Sequence, residues 1–217
     1  MYPNLQGDYA GKYALRGTTT VGVVCKDGIV LATDTRATMG YFVAHKKAKK
    51  VYQIDDYLAM TIAGGVADAQ TVVEVLKANS RLYKYSHGRL MPVGAAARLV
   101  GNILFQNRFI PLLLQAIIGG IDESGPHIFA LDPLGSVTEE KCVSTGSGSP
   151  IAYGILEAEY KEGMKANDAL PVVLRAVRSA MRRDSASGDS FDVAVITSKG
   201  YRELTEDEKK GLSVRAE

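Results

Sequence analysis

From residue 18 onward, short blocks of β-branched and apolar residues alternate with longer blocks that place an apolar residue every three or four positions. The first block, TTTVGVVCKDGIVLATDTR, carries Lys26-Asp27-Gly28 at its centre, a D-G turn that predicts a β-hairpin. Further strands are expected over Lys50–Gln53, Leu58–Ala63, Leu112–Ile121, His127–Leu131, Cys142–Thr145 and Phe191–Thr197. Helical spacing predicts one pair of helices at Ala67–Tyr85 and Pro92–Phe109. In the second of these, Val93, Ala97, Val100 and Leu104 fall on one face and Pro92 suits a helix start. Another pair is expected at Pro150–Tyr160, with Ser149 as its N-cap, and at Asn167–Arg183, where Leu170, Leu174, Val177 and Met181 form the buried stripe. Pro171 lies early in that helix, where a missing N–H is tolerated.

The order is strands, two helices, strands, two helices, strand. Hairpin-linked strands followed by paired helices predict antiparallel sheets with helices on their outer faces, rather than a doubly wound βαβ sheet. A length of 217 residues suits one domain with a substantial core. No internal repeat and no linker interrupts the chain after residue 18. Residues 1–17 are polar, contain Gly and Tyr, show no period, and read as a flexible leader. The charged tail Thr205–Glu217 is expected at the surface.

Composition mostly excludes. With 26 basic and 24 acidic residues the formal charge is +2, which leaves no electrostatic footprint for nucleic acid. The cluster Lys46, Lys47, Lys49, Lys50 by itself reads as a solvated face. The leader lacks the apolar stretch of a secretory signal, and no run reaches the ~18 apolar residues of a spanning helix. The chain is therefore expected to be cytoplasmic and independent of a membrane. Cys25 and Cys142 read as small buried hydrophobes. His45, His87 and His127 have no metal-binding spacing, so neither a metal nor another cofactor is expected. There is no Gly-rich phosphate loop, and Thr145 stands where a G-x-S-x-G elbow needs glycine.

What remains is RGTTTVG, which alone is a good strand start. Four further strings, with the Lys50 that closes HKKAKK, change that reading: TDTR (33–36), AGGVADAQ (63–70), STGSGSP (144–150) and RDSASGD (183–189). From Thr18 to about Thr197, this ordered set resembles the archaeal-type proteasome β subunits, which are N-terminal-nucleophile hydrolases. The resemblance implies an α+β fold, a four-layer αββα sandwich of two antiparallel sheets with paired helices on both outer faces. It implies a propeptide, residues 1–17, removed by self-cleavage between Gly17 and Thr18, and a catalytic domain over 18–217. Thr18 would be the nucleophile, with Asp34 and Lys50 beside it and Ser147, Asp184 and Ser187 around its amine. The N–H of Gly64 would stabilise the oxyanion. Arg36, Ala37, Thr38, Ala48, Ile62 and Val66 would bind substrate, with cleavage after large apolar residues. The implied partners are further copies in seven-membered β rings, proteasome α subunits, an ATPase unfoldase and unfolded polypeptides.

The residue types suit that chemistry. A threonine hydroxyl needs a base, and a terminal threonine carries one in its α-amine. An α-amine with pKa near 7.7–8.0 is roughly one-third neutral around pH 7.5, whereas an ordinary lysine near 10.4 is neutral about one time in a thousand. Lys50 beside Asp34 is thus expected to stay charged and act electrostatically. A non-catalytic ring subunit would be expected to lack Thr18, Asp34 or Lys50, and all three are present. A different N-terminal-nucleophile amidase would expose Cys or Ser as often as Thr, and STGSGSP and RDSASGD favour the proteasome instead.

Overall fold

A computed structural model describes residues 17–215. The leader expected at residues 1–17 lies outside the described residues except for Gly17. Twelve strands and five helices are described. One sheet has the order β10-β1-β2-β11-β12 and contains β1 (Thr20–Cys25), β2 (Gly28–Asp34), β10 (Cys142–Thr145), β11 (Phe191–Thr197) and β12 (Gly200–Glu203). The second has the order β5-β6-β7-β8-β9 and contains β5 (Val51–Asp55), β6 (Leu58–Gly64), β7 (Leu114–Asp122), β8 (Gly125–Leu131) and β9 (Val137–Glu139). Every ladder is antiparallel. A small separate hairpin pairs β3 (Ala37–Met39) with β4 (Phe42–His45).

Three apolar layers bind the sandwich. Helices α1 (Val66–His87) and α2 (Val93–Gln106) cover one face of the second sheet through Val72, Leu76, Val100 and Leu104 against Met60, Leu114 and Ile118. Helices α3 (Ser149–Glu159) and α4 (Ala166–Arg183) cover the first sheet through Leu156, Leu170, Leu174 and Val177 against Val21, Val23, Val30 and Val193. Between the sheets lie Ile29, Leu31, Ala59, Ile117, Ile128, Val143 and Ile196. Strands β1 and β2 thus bury both faces, which is why they read as near-continuous apolar runs instead of alternating ones. The architecture is the four-layer αββα sandwich of α+β type.

Boundaries moved where local chemistry outweighed the apolar pattern. Gly148, not Ser149, is the N-cap of α3, and Ser149 is its first helical residue. Helix α2 stops at Gln106, with Asn107 as C-cap, so Phe109 lies beyond it and is largely exposed. Strand β7 starts at Leu114 because the Leu113 N–H is taken by Asp68 and the Leu113 carbonyl by Gly65. The tail is mostly exposed over residues 205–212, as expected, and is helical. It forms α5 (Glu206–Arg215), and the Lys209 side chain is buried between Asp192 and Glu206. Thr205 and Glu208 form a reciprocal capping box. The Thr205 hydroxyl accepts the Glu208 N–H at 3.3 Å, and the Glu208 carboxylate accepts the Thr205 N–H at 2.8 Å. That T-x-x-E signal was present in the sequence.

The two sheets approach closely at Gly119, where a Cβ would sit 2.5 Å from the fully buried Ile29 Cδ1. Overpacking of this kind costs about 1–3 kcal/mol. Gly119→Val should lower the urea midpoint accordingly, while Gly154→Ala, on an open helix face, should leave it near wild type.

Candidate functional site

The candidate residues converge at one end of the sandwich because several elements end there together. Thr18 lies two residues before β1, Asp34 closes β2, Lys50 precedes β5, and Gly64 closes β6. Ser147 lies in the turn between β10 and α3, and Asp184 is the C-cap of α4 at the head of the loop containing Ser187.

Asp34 is the centre of the arrangement. It is 0% exposed, and Lys50 is 5% exposed. One carboxylate oxygen accepts Lys50 Nζ at 2.8 Å and the Thr19 N–H at 2.9 Å; the other accepts the Arg36 and Gly188 N–H groups, each at 3.0 Å. All four donors converge on one buried anion, the condition under which burial of a charge is tolerated. Desolvation pushes the Lys50 ammonium below the ordinary lysine range, and Asp34 opposes that shift by attraction and hydrogen bonding. The four-lysine run therefore divides: Lys50 is buried, whereas Lys46, Lys47 and Lys49 are not.

A second network surrounds Thr18. Its N–H donates to Ser147 Oγ at 3.3 Å, and Ser147 Oγ donates to Asp184 Oδ2 at 2.5 Å. Ser187 Oγ donates to the same oxygen at 2.6 Å and meets Thr19 Oγ1 at 2.8 Å. Thr18 Oγ1 donates to the Gly17 carbonyl oxygen at 2.7 Å. Backbone shape depends on glycine at two places. Gly64 has φ +126°, and a Cβ there would meet the Leu113 carbonyl at 2.1 Å. Gly146 has φ +90°, and a Cβ would meet the Thr18 carbonyl at 2.0 Å.

Thr18, Lys50 and Gly64 line a cavity of about 490 Å³. Ala37, Thr38, Ala48, Ile62 and Val66 line it too, beside Met39, Ala44 and Tyr52. Arg36, expected to contact substrate, does not line it. Its guanidinium is directed to Asp189 and to the Ser185 carbonyl instead. The sequence reading missed Thr19, whose N–H and hydroxyl tie the two networks together, and Gln115, which accepts the Gly146 N–H at 3.0 Å. Thr19 could have been suspected from the TTT run, whereas nothing in the sequence marks Gln115. Among the described residues no His/Cys/Asp/Glu group could hold a metal ion, and no helix is long and apolar enough to cross a membrane.

The sequence model described as proteasome subunit matches residues 14–196. The proteasome subunit beta of Methanosarcina barkeri is 52% identical over 199 residues, covering 91% of this chain and 94% of that protein. The proteasome subunit beta of Methanocaldococcus vulcanius is 54% identical over 196 residues, covering 89% and 88%. That of Methanothermobacter thermautotrophicus is 48% identical over 198 residues, covering 91% and 94%.

Asp34 holds the Lys50 proton in place against desolvation, so neutralising it removes the opposing pull. In Asp34→Asn the Lys50 pKa should fall further, and its side chain should lose charge at a lower pH than in the wild type. Titration of the 13Cε resonance of Lys50 reads this directly; an unchanged or higher midpoint would show that the pair is not coupled.

Proposed function

The chain belongs to the proteasome subunit family, and we propose that it is a threonine endopeptidase subunit of β type, with Thr18 as the nucleophile. The observation that carries this reading is the position of Thr18. Its hydroxyl contacts the Gly17 carbonyl, its nitrogen contacts Ser147, and it shares a cavity with a buried, carboxylate-paired lysine.

In the uncut chain the Thr18 nitrogen is an amide and cannot act as a base. We infer that Thr18 Oγ attacks the Gly17 carbonyl carbon while a water, or Lys50 in the neutral form that its desolvation favours, accepts its proton. The C–N bond then breaks, the proton goes to the departing nitrogen, and residue 17 is left as an ester on Oγ. Water hydrolyses that ester, releasing residues 1–17 with a Gly17 carboxylate and restoring the Thr18 hydroxyl beside the amine that C–N cleavage has already freed. Glycine suits position 17 sterically, because a Cβ there would lie 1.6 Å from the Ala186 Cβ.

The freed amine then takes the Oγ proton as Thr18 attacks a substrate peptide carbonyl. Charged Lys50, held by Asp34, stabilises the developing alkoxide and lowers the amine's pKa by like-charge repulsion. Ser147, Asp184 and Ser187 orient the amine, and the Gly64 N–H receives the oxyanion, a contact typically worth about 100- to 1000-fold in rate. Collapse, with the proton held by the Thr18 amine passed to the leaving nitrogen, expels the amine product and leaves an acyl-enzyme ester, which water hydrolyses. The small, uncharged Ala37 and Ala48 leave room in the cavity, and Ile62 and Val66 present an apolar wall, so it favours a large apolar residue before the cut.

The same reading places the subunit in seven-membered β rings of its own kind, stacked against rings of α subunits and fed unfolded chains by an ATPase in the cytoplasm. Exposed Met39, Tyr41 and Phe42 on the β3–β4 hairpin, with Phe105, Phe109, Ile110 and Leu134, supply apolar surface that assembly would cover.

Thr18→Ala should leave the leader attached and reduce peptide hydrolysis to background. Mass spectrometry of protein co-produced with α subunits checks the first point, and an N-terminus at residue 18 in this variant would sink self-cleavage. Across a panel of fluorogenic peptides, turnover should be highest with Leu, Phe or Tyr before the cut; preference for Asp or Glu would overturn the cavity reading.

A further inference from the structure

Arg36 is committed to the segment after α4, not to the cavity. Its Nε donates to Asp189 Oδ2 at 2.9 Å, and Nη1 donates to the Ser185 carbonyl at 2.8 Å. The guanidinium thereby grips both ends of the loop 185–189. It also packs flat under Gly188, where a Cβ would lie 2.4 Å from Nη2 and 2.5 Å from Cζ. Asp189 is the one non-glycine residue among those described with a left-handed backbone, φ +65°. That conformation is uncommon outside glycine, and Asp is among the residues that tolerate it. Its carboxylate is held below the usual range by the Arg36 hydrogen bond.

The loop that Arg36 fixes carries the Gly188 N–H, one of the four donors to Asp34, and Ser187, which joins Asp184 to Thr19. Arg36 enters the arrangement a second time through its own backbone N–H on Asp34. We propose that Arg36 and Asp189 form a positioning staple: by clamping loop 185–189 onto the end of β2 they fix the buried Asp34 carboxylate, and through it the Lys50 ammonium, relative to Thr18. The staple rests on the threonine-hydrolase reading above and adds two side chains that never touch substrate. A rigid guanidinium fork, with one N–H on a carboxylate and one on a backbone carbonyl, is suited to this work because it fixes direction as well as distance, which a lysine at the same place would not.

The test compares Arg36→Met, Asp189→Asn, the double variant and Arg36→Lys in assembled, processed particles, with kcat and KM measured on one fluorogenic peptide. Asn retains tolerance of the left-handed conformation, so Asp189→Asn removes the charge without straining the backbone. Each single variant should lower kcat about 10- to 100-fold, the scale expected when catalytic groups are misplaced by about 1 Å. KM should stay near wild type, because neither side chain lines the cavity. The double variant should be no worse than the poorer single one, as for two halves of one interaction, and Arg36→Lys should recover only part of the loss. If Arg36→Met does not assemble, Asp189→Asn carries the same comparison.

A raised KM with unchanged kcat would return Arg36 to substrate binding. Independent, multiplying losses would show two unrelated effects, and unaltered kcat in every variant would remove the staple. Thr18→Ala, produced as a chain beginning at residue 18 so that no leader remains and assembled in the same way, separates the premises. Residual turnover there defeats the threonine reading, whereas an inactive Thr18→Ala beside a fully active Arg36→Met defeats the staple alone.

Discussion

The constraint from which the site follows is the burial of one carboxylate. Asp34 ends a strand that is buried on both faces, where an ionised group must be surrounded by donors or not be ionised. Its four hydrogen bonds come from four separate places: the segment before β1, the β2–β3 connection, the loop before β5 and the loop after α4. Meeting one charge's demand therefore locks together segments that the β1–β2 and β2–β11 ladders already bring side by side. Removing one partner of such a buried pair costs on the order of 3–5 kcal/mol. This site is thus part of the structural integrity of its end of the sandwich.

Lys50 illustrates how burial and pairing are balanced. Desolvation alone would drive the ammonium towards neutrality, while Asp34 restores charge. A lysine held in that balance serves the proposed chemistry well. It carries charge next to a developing alkoxide, in a setting where water does not screen it. Its neighbours Lys46, Lys47 and Lys49 are identical in type and differ only in being turned outward.

The two networks, one centred on Asp34 and the other on Asp184, meet at Thr19. Its N–H serves the first and its hydroxyl the second. The residue next to the proposed nucleophile is consequently held from both sides, which would limit how far Thr18 moves in the proposed self-cleavage. The glycines at 64 and 146 serve the same geometry by letting backbone approach backbone where any side chain would intervene.

Much of this was legible in the sequence, for physical reasons. Strand and helix identity follow from periods that burial imposes on neighbouring residues, so β1–β2, α1 to α4 and antiparallel sheets with helices on their outer faces could be read directly, while the four-layer stacking came from the resemblance. The resemblance carried by short local strings pointed to Thr18, Asp34, Lys50, Gly64, Ser147, Asp184 and Ser187, and the fold brings these residues to one end of the sandwich. What only the tertiary structure decided depends on partners far apart in sequence. The strand start at Leu114 is set by Asp68, the direction of the Arg36 guanidinium by Ser185 and Asp189, and the role of Gln115 by Gly146. A side chain's type is written in the chain, but which of several satisfied orientations it takes is settled by the donors and acceptors that folding brings within 3 Å.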